Sequence, residues 1–258
     1  MRQVTSADGT PIAVFETGAG DPVVIVNGAF STAHDAEGLA HALAEGGFRA
    51  VTYDRRARGE SGDTPPFTPQ REAEDLAAVI ASTGAESAVL GHSSGAVLAL
   101  FAASLGTPVR HLFLSEPPFH FGEGDPAPDF VDRLQAAVDE GRAADAVMLF
   151  QREGVGLPDD VIAQIRQSPL FETLLPLARS TVYDATLTRD LSTPTPDMLA
   201  IPAPVTILCG ELTFPMLSAA AERLASELAG AELLVMPESV MHRLDATAAA
   251  RVVSERLT

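Results

Sequence analysis

Lysine is absent from this 258-residue chain: all 17 basic residues are arginine, set against 35 aspartates and glutamates. The resulting net charge of -18 argues against a nucleic-acid partner, because neutralising phosphates requires clustered cations. The single cysteine, Cys209, excludes an intrachain disulfide, and with no Cys/His cluster around it there is no case for structural zinc. Its place in an apolar run makes it an expected core residue. Although 46% of residues are hydrophobic and the mean hydropathy is +0.15, no apolar run approaches the roughly 20 residues that cross a bilayer. No membrane partner is expected. Residues 1–9 contain one basic residue and no apolar stretch, so they do not read as a secretory signal, and the expected location is cytoplasmic. Internal repeats and low-complexity linkers are also missing.

What is present is an alternation of short β-branched runs with longer helical patterns. Strands are expected at 12–15, 23–26, 50–53, 88–90, 112–114, 205–209 and 233–236. Continuous apolar runs of this kind suit strands buried on both faces of a mostly parallel α/β sheet with flanking helices. Thr68 as cap and Pro69 at the first helical position open a helix whose Leu76, Val79 and Ile80 form one stripe. Another helix from Pro215 repeats Leu217, Leu224 and Leu228 before Gly230. The stretch 119–202 breaks the alternation, with helical patterns at 130–138, 143–150, 161–165 and 171–179 and no strand. A structureless loop of that length is improbable inside a domain. It is therefore expected to be a helical cap inserted between late sheet strands, with 1–118 and 203–258 forming the core domain.

The chemically informative segment is Gly91-His92-Ser93-Ser94-Gly95, set between the strand at 88–90 and the helical run 96–102. This is the strand-turn-helix context of a Gly-x-Ser-x-Gly nucleophile elbow, in which a serine occupies a strained turn at a helix N-terminus. Here the chain resembles the α/β-hydrolase family, in its serine-nucleophile, esterase-like branch, along almost its whole length. The resemblance extends to 24–30, similar to the family's strand and oxyanion loop, with Asn27 where His is more usual before Gly28. It implies Ser93 as nucleophile and the N–H groups of Ala29 and Ser94 as oxyanion donors. The loop 53–62, rich in charge, also matches the family, and is read as structural because its charges can satisfy the loop and one another.

A serine needs a base. Among six histidines, His242 follows the last expected strand, where the family places its base; His92 is read as packing or support, and His120 as a possible neighbour of the pocket. The usual acid is missing, since the position after the strand at 205–209 that normally holds Asp is Thr213. Glu116, after the strand at 112–114, is the preferred acid, with Glu211 and Asp245 as alternatives; Asp245 also suits the cap of a C-terminal helix. Phe30, Phe119, Phe121, Met148, Phe150, Phe171 and Tyr183 are the candidate pocket residues. The expected function is hydrolysis of a small hydrophobic ester or lactone through an acyl-enzyme, with no metal or organic cofactor. The same residues would serve carbon-carbon bond hydrolysis, perhydrolysis or acyl transfer, and a ligand-binding protein with vestigial turnover is the remaining alternative.

Overall fold

A computed structural model describes residues 1–258. Eight strands form one sheet: β1 (Arg2–Thr5), β2 (Pro11–Gly18), β3 (Pro22–Val26), β4 (Arg49–Tyr53), β5 (Ala88–His92), β6 (His111–Ser115), β7 (Val205–Leu212) and β8 (Glu232–Val240). Their order is β1-β2-β4-β3-β5-β6-β7-β8. β1/β2 and β2/β4 pair antiparallel and all other neighbours parallel. All seven expected strands are present. β1 was not expected: its polar alternation Arg2-Gln3-Val4-Thr5 exposes every second residue and leaves only one apolar side chain to read.

Helices cover both faces. α1 (Glu37–Glu45) and α11 (Ala246–Leu257) pack on one side around Val23, Ile25, Leu43, Leu90, Phe113 and Leu208. On the other side lie α2 (Pro69–Ser82), α3 (Ser94–Ser104) and α10 (Pro215–Glu227), over a larger cluster that includes Val24, Val89, Leu98, Leu112, Ile207 and Cys209. α3 is buried on all sides from Ser94 to Ala103, as expected of a helix without a polar face. This pins the N-terminus of α3 against the C-terminal ends of the parallel strands, where open α/β sheets place their sites.

Between β6 and β7 the chain runs without regular structure to residue 129 and then forms only helices: α4 (Phe130–Asp139), α5 (Ala143–Leu149), a π-helical turn at Phe150–Gly154, α6 (Asp159–Arg166), α7 (Pro169–Leu174), α8 (Ala178–Asp190) and α9 (Pro196–Leu199). The expected single pattern at 171–179 is split, because a 3-10 turn over Leu175–Leu177, with Pro176 inside it, separates α7 from α8. α8 was not expected as a separate helix. Its buried face carries Ser180, Thr181 and Asp184, so the apolar periodicity that reveals a helix is interrupted. Ser180 and Thr181 satisfy their hydroxyls on the carbonyls of Leu177 and Ala178.

Caps act where the sequence suggests them. Thr68 Oγ1 accepts the Arg71 N–H, and Asp245 Oδ1 accepts the Ala248 N–H at 2.8 Å. Asp245→Ala should therefore remove one N-cap, costing about 1 kcal/mol and lowering Tm by roughly 2 to 4 °C for a chain of this size. Calorimetry checks this, and a much larger loss would show that Asp245 holds more than α11.

Candidate functional site

Ser93 joins β5 to α3 at φ 55°, ψ -127°, a region that non-glycine residues avoid. Close packing enforces it: a Cβ on Gly95 would lie 2.2 Å from the Val26 carbonyl oxygen, and one on Gly91 2.6 Å from Ala96 Cα. The Ser93 N–H donates to the Ser115 carbonyl at 2.9 Å, tying the turn to the end of β6. Glu116 comes next at φ 47°, and its N–H donates to the Leu208 carbonyl at 3.0 Å. His242, just beyond β8, has φ 60° and follows Met241 at φ 53°. Thus Ser93, Glu116 and His242, the residues that the elbow motif and the family resemblance imply, all occupy left-handed backbone at the same end of the sheet.

Their side chains form one chain of hydrogen bonds. His242 Nε2 lies 3.0 Å from Ser93 Oγ, and His242 Nδ1 lies 2.5 Å from Glu116 Oε2. The second carboxylate oxygen, Oε1, accepts the Gly210 N–H at 2.8 Å. Burial on its own would push the Glu116 carboxyl up, but the His242 ring and then the Gly210 N–H outweigh it and hold it below the ordinary value. The carboxylate is thus ionised at neutral pH and accepts from Nδ1, which leaves Nε2 free to accept from the serine hydroxyl. His92 lies beside this chain, its ring centroid 4.7 Å from that of His242 and its Nδ1 3.0 Å from Ser115 Oγ. Burial, reinforced by His242, drives His92 down to about 3, so it stays uncharged beside the imidazole.

The loop after β3 closes on the serine. A Cβ on Gly28 would come within 2.9 Å of Ser93 Cβ, so glycine here permits close approach. Ala29 follows, and its N–H donates to no protein acceptor. Ser94 opens α3, where the amide has no partner within the helix.

The other acid candidates lie elsewhere. Glu211 is exposed on the extension of β7, and Asp245 is engaged in capping α11. The Thr213 hydroxyl, close to Glu116, is buried without meeting hydrogen-bond geometry to any partner.

The seven pocket candidates fall into three groups. Phe30 follows Ala29 and packs edge-on against Phe150 at 5.2 Å. Phe150, Phe171 and Tyr183 belong to the apolar cluster of the insertion, against which Ala29, Phe30, Ala57 and Phe67 pack; Tyr183 stacks on Phe67 at 4.2 Å and donates to Asp63. Phe119, 1% exposed, is part of the main core, and Phe121 packs against the same core under the Arg223 guanidinium at 4.3 Å. Met148 packs against the cluster of Phe150, Phe171 and Tyr183 and also lines an open cleft of about 390 Å³ with Arg133, Arg142 and Arg152.

The loop 53–62 does more than satisfy itself. Arg55, Arg56 and Arg58 are almost fully buried. Arg56 pairs with Asp75 and Asp8, while Arg55 and Arg58 leave their own loop to reach Asn27, Gly28, Ser31, Ser94 and Asp184. Asp184 was missed by sequence reasoning. An acid on the buried face of an amphipathic helix was the available signal, and it was lost with α8 itself.

Residues 23–253 match the alpha/beta hydrolase family, and the chain belongs to that family. An alpha/beta hydrolase from Sphaerobacter thermophilus is 39% identical, each chain covering 100% of the other, with a TM-score of 0.92. The enol-lactonase from Burkholderia xenovorans (21% identity, 99% of both chains, TM-score 0.72) and an esterase from Exiguobacterium antarcticum (20% identity, 99% and 97% of the chains, TM-score 0.70) share the fold. A non-heme haloperoxidase of Rhodococcus erythropolis is 33% identical over 97 residues, which are 37% of this chain and 35% of that protein. The protein is a hydrolase of this family.

The depressed Glu116 carboxyl has a consequence for stability. Its ionisation contributes fully above the unfolded-chain value of about 4.5, and the contribution is lost as pH falls through the lower native value. Glu116→Gln lacks it, so denaturant unfolding between about pH 5 and pH 3 should show a smaller acid-induced loss of stability in the variant than in the wild type. Equal losses would mean that the carboxylate gains nothing from its partners.

Proposed function

We propose that this protein hydrolyses a carboxylic ester or lactone with a hydrophobic acyl part, with Ser93 as nucleophile, His242 as base and Glu116 as the orienting acid. The observation that carries this reading is the unbroken chain Ser93 Oγ, His242 Nε2, His242 Nδ1, Glu116 Oε2, at 3.0 and 2.5 Å, anchored on a strained serine. His242 takes the hydroxyl proton as Oγ attacks the carbonyl, and the imidazolium formed is stabilised by the Glu116 carboxylate. The tetrahedral oxyanion is received by the Ala29 and Ser94 N–H groups. Collapse expels the alcohol, which leaves with the proton from Nε2. Water, deprotonated by the same nitrogen, then releases the acid and restores Ser93.

Residues 119–202 act as a cap on a core made of 1–118 and 203–258. The apolar cluster of the cap, with Phe150 against Phe30 next to Ala29, favours an apolar acyl group. Met148 packs on the same cluster, while Phe119 and Phe121 pack on the main core. The likeness to a haloperoxidase over 97 residues favours one second reading. Hydrogen peroxide in place of water would attack the same acyl-serine and release a peracid.

A fluorophosphonate probe should label Ser93, and Ser93→Ala should abolish labelling and lower kcat on activated esters by on the order of 10⁴ or more while remaining folded. The panel comprises p-nitrophenyl esters, lactones and diketones, with and without hydrogen peroxide. Labelling of another serine, or undiminished turnover by the alanine variant, would sink the reading.

Glu116→Gln should keep the shape of the site and lower kcat by as much as ~10⁴, because the amide no longer enforces the tautomer with a proton on Nδ1. Glu211→Gln, on an exposed residue, should stay within about twofold of wild type. The reverse pattern would move the acid to the β7 side.

A further inference from the structure

Asp184, on α8 of the insertion, is fully buried, and its carboxylate accepts three hydrogen bonds: from Arg58 Nη2 at 2.6 Å, Arg55 Nη1 at 2.9 Å and Ser94 Oγ at 2.7 Å. Both guanidiniums continue to the loop after β3. Arg58 Nη1 donates to the Gly28 carbonyl at 2.6 Å and to the Ser31 carbonyl at 3.2 Å; Arg55 Nη1 donates to the Asn27 carbonyl at 3.1 Å and to Ser94 Oγ at 3.1 Å. The other side of Arg55 is held by Glu72 in a two-point fork, 2.8 Å on each arm.

The Gly28 carbonyl and the Ala29 N–H belong to one peptide unit. In a planar trans peptide they point in opposite directions, so a guanidinium gripping the carbonyl oxygen fixes where the N–H points. The same grip polarises the unit and strengthens the N–H as a donor. Ser94 is held through its side chain, which fixes the first turn of α3 and with it the Ser94 N–H. One carboxylate therefore bears on both N–H groups, on that of Ser94 through the Ser94 hydroxyl and on that of Ala29 through Arg58.

We propose that Asp184 is a positioning residue that aligns the two oxyanion donors, so that the insertion takes part in assembling the reactive site as well as covering it. This rests on the reading of Ala29 and Ser94 as those donors. Asp184 touches no reacting atom. Its contribution belongs to the tetrahedral state, where the oxyanion forms, and not to substrate binding.

The test is Asp184→Asn in the full chain. Hydrogen exchange of the 27–31 segment should accelerate, kcat on an activated ester should fall about 10- to 100-fold with KM within about threefold, and affinity for a boronic acid that mimics the tetrahedral state should fall in parallel with kcat. Wild-type exchange at 27–31 with wild-type kcat in a folded variant would overturn the proposal, as would a loss of kcat with boronate affinity unchanged. Should Asp184→Asn fail to fold, Ser94→Ala decides: it deletes one arm and keeps the N–H, and kcat should fall about three- to tenfold with a parallel loss of boronate affinity, no change in either being the overturning result. If the wild type shows no hydrolysis that depends on Ser93, the functional reading fails, while the exchange rate at 27–31 still decides whether Asp184 holds the loop.

Discussion

A serine at φ 55°, ψ -127° stays there only because everything around it forbids relaxation. Such conformations cost of order 1 to 3 kcal/mol each, and a strand-to-helix turn on the surface would relax to regular backbone. Here the preceding glycine lies against α3, the following glycine against the end of β3, and the serine amide is fixed to the end of β6. Three neighbouring strands and one fully buried helix thus share a single constraint. The outcome is that Ser93 projects from the sheet while the first amides of α3 point to the same side. Glu116 and His242 repeat the device at the ends of β6 and β8. Strain is thereby distributed over the three positions whose side chains must meet.

Charge is handled differently inside and outside. The surface carries the excess that makes the net charge -18. The interior holds Arg55, Arg58, Glu72 and Asp184, all nearly inaccessible and balanced in sign. Removing one member of such a set leaves an uncompensated buried charge, which costs several kcal/mol, whereas the intact set is of small net value to stability. Burial and the neighbouring Arg55 lower the pKa of Arg58, while Arg58 and Arg55 keep the Asp184 carboxyl below its ordinary value despite burial. A network that adds little stability yet fixes directions holds the loop after β3 in one orientation beside Ser93.

The sheet was legible because parallel strands buried on both faces write themselves as continuous apolar runs, and the elbow because its glycines and serine have a fixed spacing between a strand and a helix. Ser93 could be chosen from the elbow motif, and Glu116 and His242 from the strand ends at which the family resemblance implies an acid and a base; their side chains lie within hydrogen-bonding distance. What could not be read was the polar burial that links α8 to the loops after β3 and β4. α8 hides behind Ser180, Thr181 and Asp184. The arginines at 55 and 58 look like surface charge in a loop, since a sequence gives no sign that a guanidinium will turn inward to meet carbonyls 27 residues or more away in the chain. The aromatic candidates are separated by packing alone: Phe119 and Phe30 are equally apolar, yet one enters the main core and the other follows Ala29 and packs on the cluster of Phe150.

The carboxylate that meets His242 Nδ1 comes from the end of β6 and not from β7, and the length of β7 accounts for this. The strand does not stop at Cys209 but runs on to Leu212, where it still pairs with Val240 of β8 after a register shift at Gly210. Continued pairing keeps the backbone extended through 211, so Glu211 turns its side chain to solvent. Only Thr213 and Phe214 then remain before α10 starts at Pro215; the Phe214 ring centroid lies 6.4 Å from that of His242, and Thr213, its hydroxyl beside Glu116, brings no carboxylate to the ring. β6, in contrast, ends at Ser115, and Glu116 turns at φ 47° directly across from the Gly210 N–H. A side chain on Gly210 would sit 3.0 Å from Glu116 Oε1 and 2.5 Å from the Ser239 carbonyl. A side chain at 210 is therefore excluded by the Glu116 carboxylate and the backbone of β8. An extended β7, a glycine at 210 and an acid at 116 form one self-consistent solution, and restoring an aspartate at 213 alone would add a second carboxylate beside Glu116, a like-charge pair that disfavours ionisation of both.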